Sequence, residues 1–152
     1  MLREEQIDLR RQRAKAGKFQ IHNRGKNRVF SDYEVSNPES GGRYTVRIKG
    51  FDVGENACTC PDFKSNTLGT CKHIEAVLES LKDDAPANVR KKKATFARPE
   101  VYLNYGDPLR LGLHLPPRHS DKLGTLAKRF FDDKLTVTLA VGEWRTTSNG
   151  RR

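Results

Sequence analysis

Three cysteines and one histidine carry the most specific chemistry in this sequence. All three cysteines of the chain lie between Cys58 and Cys71, and His73 follows directly after, giving the spacing C-x-C-x10-C-x-H. An odd number of cysteines cannot all pair within the chain, and their crowding does not fit a disulfide framework. Thiolates and imidazole are the donors that Zn²⁺ takes in tetrahedral coordination. The same residues could be small buried cysteines beside an ordinary helix-start histidine, ligands of an iron–sulfur cluster, or a C-x-C redox pair. The paired C-x-C and C-x-H steps, with turn residues between them, favour zinc. Cys58, Cys60, Cys71 and His73 would close a four-coordinate shell, so the ion is expected to be structural and not catalytic.

Local geometry restricts how such ligands are held. Residues i and i+2 of a strand point to one face, so an extended Cys58-Thr59-Cys60 can aim both sulfurs at one ion. In a helix i and i+2 do not face one another, which puts Cys71 in a loop-to-helix transition and His73 in the first turn, with Thr70 as the expected cap. The positive end of that helix dipole favours deprotonated thiols. Ile74, Val77, Leu78 and Leu81 then follow at i, i+3, i+4 and i+7, an apolar face ending near Asp83-Asp84 and Pro86. Upstream, Tyr33 and Val35, then Tyr44, Val46 and Ile48, alternate with polar residues around the turn 37–42, which predicts a hairpin, and Ala57 to Cys60 predicts a short third strand. Val77, Leu78 and Leu81 are expected to pack against Tyr44, Val46 and Ile48.

Outside this unit the chain reads as a basic arm, a basic linker and a second small unit. Residues 1–29 hold many arginines and lysines and few apolar positions, a frayed helix or flexible arm. Residues 85–98 form a polar linker containing Arg90, Lys91, Lys92 and Lys93, four cations without an acid nearby in sequence. Beyond Pro99, alternation at Val101, Leu103 and Tyr105 and at Leu109 to Leu115 around Gly106-Asp107-Pro108 predicts two paired strands. Ser120 would cap a helix with Leu123, Leu126, Ala127, Phe130 and Phe131 on one face, and Leu135, Val137, Leu139 and Val141 predict a last strand. The fold class is therefore α+β: a β-β-α finger over 30–84, a β-β-α-β unit over 99–145, and a disordered tail over 146–152.

Composition narrows the function. A net charge of +10 and a pI near 9.8 favour a polyanionic partner, nucleic acid before membrane, because no basic segment is backed by a clear apolar helical face. Charged residues along Met1 to Arg13 replace the apolar run of a secretory signal, so a soluble, cytoplasmic protein is expected. His22, His114 and His119 show no triad or second metal spacing, and Asp83-Asp84 and Asp132-Asp133 sit at predicted helix ends. Trp144 could stack on bases, whereas Tyr33 and Tyr44 more naturally pack across the hairpin. No enzyme activity and no small-molecule substrate are expected.

The stretch Ala57-Cys58-Thr59-Cys60-Pro61-Asp62-Phe63, with Gly69-Thr70-Cys71-Lys72-His73-Ile74 and Ala76-Val77-Leu78, resembles the SWIM-type zinc finger over about Ser31 to Leu81. The resemblance implies a β-β-α finger binding Zn²⁺ and acting as a DNA-binding or protein-binding module, as found in Swi/Snf-type helicases, Mutator-type transposases and signalling proteins. The basic N-terminal segment and Pro99-Glu100-Val101-Tyr102-Leu103 also resemble the region ahead of the ATPase core in bacterial Swi/Snf-related helicases. No G-x-x-x-x-G-K-[ST] occurs, so ATPase activity is not expected. The function expected is DNA binding through basic surfaces, Arg90 to Lys93 among them, around a structural zinc. The alternative is a protein-interaction module, accessory to or detached from such a helicase.

Overall fold

A computed structural model describes residues 2–105 and 108–138. The expected turn at Gly106-Asp107, the end of the last strand at Leu139 and Val141, Trp144 and the tail over 146–152 lie outside the described residues, as does the side chain of Ser120 expected as a cap.

The chain begins with a 14-residue helix, α1 (Arg3–Ala16), not a flexible arm. Glu4 and Glu5 stand in its first turn and Arg13 and Lys15 in its last, each complementing the helix dipole. Ile7 and Ala14 are its buried residues and face the metal-side helix, α3 (Lys72–Ser80). Two apolar side chains are too few to show as a hydrophobic stripe, which is why this segment reads as a solvated arm. After Gly17 the chain enters β1 (Gln20–Asn23), which extends the expected hairpin of β2 (Asp32–Ser36) and β3 (Arg43–Arg47). With β4 (Ala57–Cys58) these form one antiparallel sheet in the order β1-β2-β3-β4. Tyr33 pairs with Val46 and Val35 with Tyr44, so the buried face is the one that alternation predicts.

The two faces of that sheet differ in kind. Tyr33, Val35, Val46 and Ile48 meet Ile74, Val77 and Leu81 of the helical face in a single core. Leu78 and Tyr44, expected in that core, are only half-buried: Leu78 turns toward α1, and Tyr44 lies against the ring of His73. On the outer face Arg47 forks onto Asp32 at 2.7 and 3.2 Å, and Glu34 accepts from Arg24 at 2.8 Å and from Arg43 at 3.3 Å. Cations on the sheet are thus paired with acids of the neighbouring strand, and Arg24 of the loop after β1 joins them.

The expected linker is a strap. Residues Ala87–Arg90 form a single helical turn, α4, and the Ala94 amide donates to the Lys49 carbonyl at 2.7 Å. Beyond it, β5 (Glu100–Asn104), β6 (Arg110–His114) and β7 (Thr136–Thr138) make a second antiparallel sheet, with α5 (Ser120–Ala127) between β6 and β7. The β-β-α-β order is as predicted, but the predicted face of the helix is not. Ala127 is buried, whereas the helix stops there and leaves Leu126 and Phe130 56% and 73% exposed. The His114 ring stacks with Tyr102 at 4.2 Å and with Phe96 of the strap at 4.8 Å, and Lys49 lies over Phe96 and pairs with Glu100 at 2.5 Å.

Packing makes two predictions. Ile74→Ala, at a side chain 1% exposed, should lower unfolding free energy by about 2–5 kcal/mol, and Leu78→Ala by clearly less; chemical denaturation of the zinc-loaded protein measures both. Burial, with Lys49 nearby, holds the His114 imidazole below its ordinary value. A lowered histidine pKa means that the neutral form is favoured in the fold. Its contribution is therefore complete above about pH 6.5 and shrinks as pH falls toward the folded value. A titration of the His114 ring by NMR should show a midpoint below that of the unfolded chain.

Candidate metal centre

Each half of the ligand set is held by backbone that the local sequence dictates. Buried Asn56 accepts the Lys49 and Gly50 amides through Oδ1 and donates to the Gly50 carbonyl, fixing the turn ahead of β4. Cys58 lies opposite Val46 on β3. Thr59, between the two ligands, donates its amide to the Thr45 carbonyl and accepts the Thr45 amide on its hydroxyl, both at 3.0 Å. The C-x-C segment is therefore sewn to β3 by the residue in its middle. Cys60 is the N-cap of a short helix, α2 (Pro61–Ser65), begun by Pro61 at a position where no amide donor is needed.

The second half enters α3. Cys71, extended at φ −152° and ψ 167°, is the N-cap, and His73 stands in the first turn. Thr70 is not the cap; its hydroxyl donates to Glu75 Oε1 at 2.5 Å. The left-handed Gly69 (φ +77°) lets the loop ahead of Cys71 pass closely, since a Cβ there would sit 2.8 Å from both Gly54 Cα and Tyr105 Cβ.

These elements bring Cys58, Cys60, Cys71 and His73 together, with one donor atom of each within 4.8 Å of the others. Tetrahedral zinc with sulfur ligands sets donor-to-donor edges of about 3.7 Å, and Cys71 Sγ lies 3.9 Å from His73 Nδ1. The four ligands are 7%, 1%, 0% and 5% exposed, so water is excluded from the cluster. Rings of Phe19 (5.4 Å, edge-on) and Tyr44 (4.7 Å) fix the imidazole plane.

The electrostatics ask for a cation. Cys60 accepts the Phe63 amide and Cys58 accepts the Cys60 amide, each at 3.4 Å. Hydrogen bonds from the Cys58 and Cys71 thiols, with that amide, depress the Cys60 pKa. Those same contacts raise the donors: Cys58 is pushed up to about 12 by Cys60, and Cys71 rises through Cys58, Cys60 and burial. Three thiols this close cannot ionise together unless a positive ion neutralises them. A soft dication among three sulfurs and one imidazole satisfies that requirement, and the donor set fits Zn²⁺.

Residues of α1 that sequence reasoning missed surround the site. Arg10, its side chain 12% exposed, forks onto Asp62 at 2.7 and 3.2 Å, two residues after Cys60. Arg3 donates to the Leu68 carbonyl at 2.9 Å, and Arg11 reaches buried Glu75 at 3.4 Å. Asn66 completes the ligand loop internally, donating to the carbonyls of Asp62 and Thr70. A signal for this was present: Arg3, Ile7, Arg10 and Ala14 are spaced by four, three and four, one helical stripe in which arginine stands in alternate places.

The expected cations over 90–93 are separated by the structure. Arg90 lines a cleft between α1 and α3, Lys93 pairs with Glu55, and Lys91 and Lys92 make no ion pair among the described residues. The acid absent from the local sequence is supplied by a loop of the finger.

Fold and site define a Cys3His zinc module built on a four-stranded sheet. Residues 44–82 match the family model of the SWIM zinc finger, whose Cys and His positions fall on this cluster. Comparison of the chain with curated proteins and with solved structures finds no significant match.

Zinc is expected at one ion per chain by elemental analysis, and Cys60→Ala should unfold the finger, since structural zinc contributes about 10 kcal/mol or more of apparent folding free energy. Arg10→Ala leaves every ligand in place yet should weaken zinc retention about tenfold, as removal of groups that orient metal ligands does. Competition with a chromophoric chelator measures it.

Proposed function

We propose that this protein binds nucleic acid, DNA in the first instance, through basic surfaces beside a structural zinc. The observation that carries the reading is a shallow groove between the loop 25–32 and the strap 94–96, lined by Lys26, by Arg47 and Lys49, which are paired with Asp32 and Glu100, and by the rings of Phe30 and Phe96. Cations that follow phosphates and flat rings that accept any base are the parts of a sequence-tolerant single-strand or backbone site. Lys91 and Lys92, which make no ion pair among the described residues, lie just ahead of that strap, and the net charge of +10 draws a polyanion toward it.

The zinc has a supporting part in this reading. A shell of four protein ligands leaves no open position for water or substrate, so the chain acts by binding and not by catalysis. No helix among the described residues is long and apolar enough to cross a membrane. The competing reading, an interaction module alone or ahead of a Swi/Snf-type ATPase, rests on the mixed-charge cleft between α1 and α3 and requires a saturable protein partner that survives moderate salt.

Affinity for unrelated DNA sequences measured across a salt series tests the proposal. Each phosphate neutralised on a duplex contributes a slope of about −0.9, so Lys91→Gln with Lys92→Gln should reduce the slope magnitude by up to about 1.8 and weaken all sequences alike. Lys93→Gln should change the slope least, because Glu55 already holds that charge. A parent protein that fails to bind at low salt overturns the proposal.

A further inference from the structure

Beside the metal centre, α1 and α3 diverge to leave a cleft of about 360 Å³, closed at one end by Phe51 and Arg90. That is the size of a site for a small ligand or for one or two inserted side chains. Ala14, Leu78 and Phe51 supply apolar surface, the first buried and the other two half-buried. Leu78 belongs to the helical face expected to fill the core; it packs against the edge of that core and also lines the cleft. Lys15, in the last turn of α1, and Arg90, at the end of α4, are exposed on the rim and make no ion pair among the described residues.

The acids in the cleft are already engaged. Glu75 is buried and met by Thr70 and Arg11, and Glu79 is held by Lys82 at 2.5 Å. A phosphodiester chain laid across this site would leave the apolar surface of Leu78 and Phe51 unused. A peptide side chain suits both parts. A large apolar group fills the space over Leu78 and Phe51, while carboxylates on either side reach Lys15 and Arg90. An apolar anchor in a pocket with complementary charge at its rim is the arrangement that concentrates binding energy at protein interfaces. We propose that the cleft between α1 and α3 docks a segment of a partner protein that presents one large apolar side chain between carboxylates. The cleft shares no lining residue with the groove at Phe30 and Phe96, although Phe51 of the cleft meets Phe30 of the groove edge-on at 6.3 Å.

The probe is a panel of synthetic nonapeptides with leucine or phenylalanine at the centre and aspartate or glutamate on both sides, beside a matched panel with lysine in place of the acids. Added to the full zinc-loaded chain, acidic peptides should give saturable NMR shifts centred on Ala14, Phe51 and Leu78, and the lysine panel none. Lys15→Glu combined with Arg90→Glu should weaken that binding about tenfold or more, with zinc content and melting temperature unchanged. Leu78→Ala should weaken it too, and Leu78→Met should restore much of it. The proposal is overturned if no acidic peptide shifts these resonances, if the lysine panel binds equally well, or if charge reversal leaves affinity unaltered. It is also overturned if the same resonances respond to a single-stranded oligonucleotide that displaces the peptide, or to chain concentration alone, which would make nucleic acid or a second copy the occupant. The slope measured at Lys91 and Lys92 is independent of each of these results.

Discussion

Three thiols and an imidazole crowded into a space that excludes water is the constraint on which the rest of this structure depends. Three thiols in mutual contact oppose one another's ionisation, which pushes Cys58 and Cys71 up. With zinc the mutual repulsion becomes the reason for the fold, because one ion ties the end of β4 to the start of α3. The core formed by Val35, Val46, Ile74 and Val77 is small, and a module of this size needs such a tie.

The loop between the ligand pairs is long enough to move, and α1 prevents it. Arg10 on Asp62 and Arg3 on the Leu68 carbonyl grip the loop near its beginning and toward its end, while Arg11 and Thr70 meet on Glu75 behind Cys71. The Arg10 pair is partly buried and bidentate, the geometry in which an ion pair contributes specificity as well as energy. Interactions of this kind set where a ligand can sit more than they set total stability. α1 also forms one wall of the cleft, so the element that orders the metal loop lines that surface too.

A strongly basic chain is not basic everywhere. Arg24, Arg43 and Arg47 on the outer face of the first sheet are matched by Glu34 and Asp32, and Lys49 and Lys93 are matched by Glu100 and Glu55 across the strap. Lys26 at the groove and Lys15 and Arg90 at the cleft are among the described cations that make no ion pair, as are Lys91 and Lys92. This distribution bears on function more directly than the net charge does, since a paired cation releases fewer counterions on meeting a phosphate.

The ligand set, the hairpin, α3 and the β-β-α-β order of the second unit were all legible in the sequence, because each rests on local rules. A strand aims i and i+2 at one ion, a helix forbids it, and alternation or a 3.6-residue period marks the buried face. Tertiary structure alone decided what α1 does, since its attachment is made by arginines whose acids, Asp62 and Glu75, lie far along the chain. It also decided that Leu78 lines the cleft as well as the edge of the core and that Lys93 is neutralised by Glu55, whereas Thr70 serves Glu75, a partner only 5 residues on, and not the helix end. Apart from Thr70, the deciding partner is remote in sequence: periodicity records which face of an element is apolar, whereas a charge shows its role only once the opposite group has been brought to it.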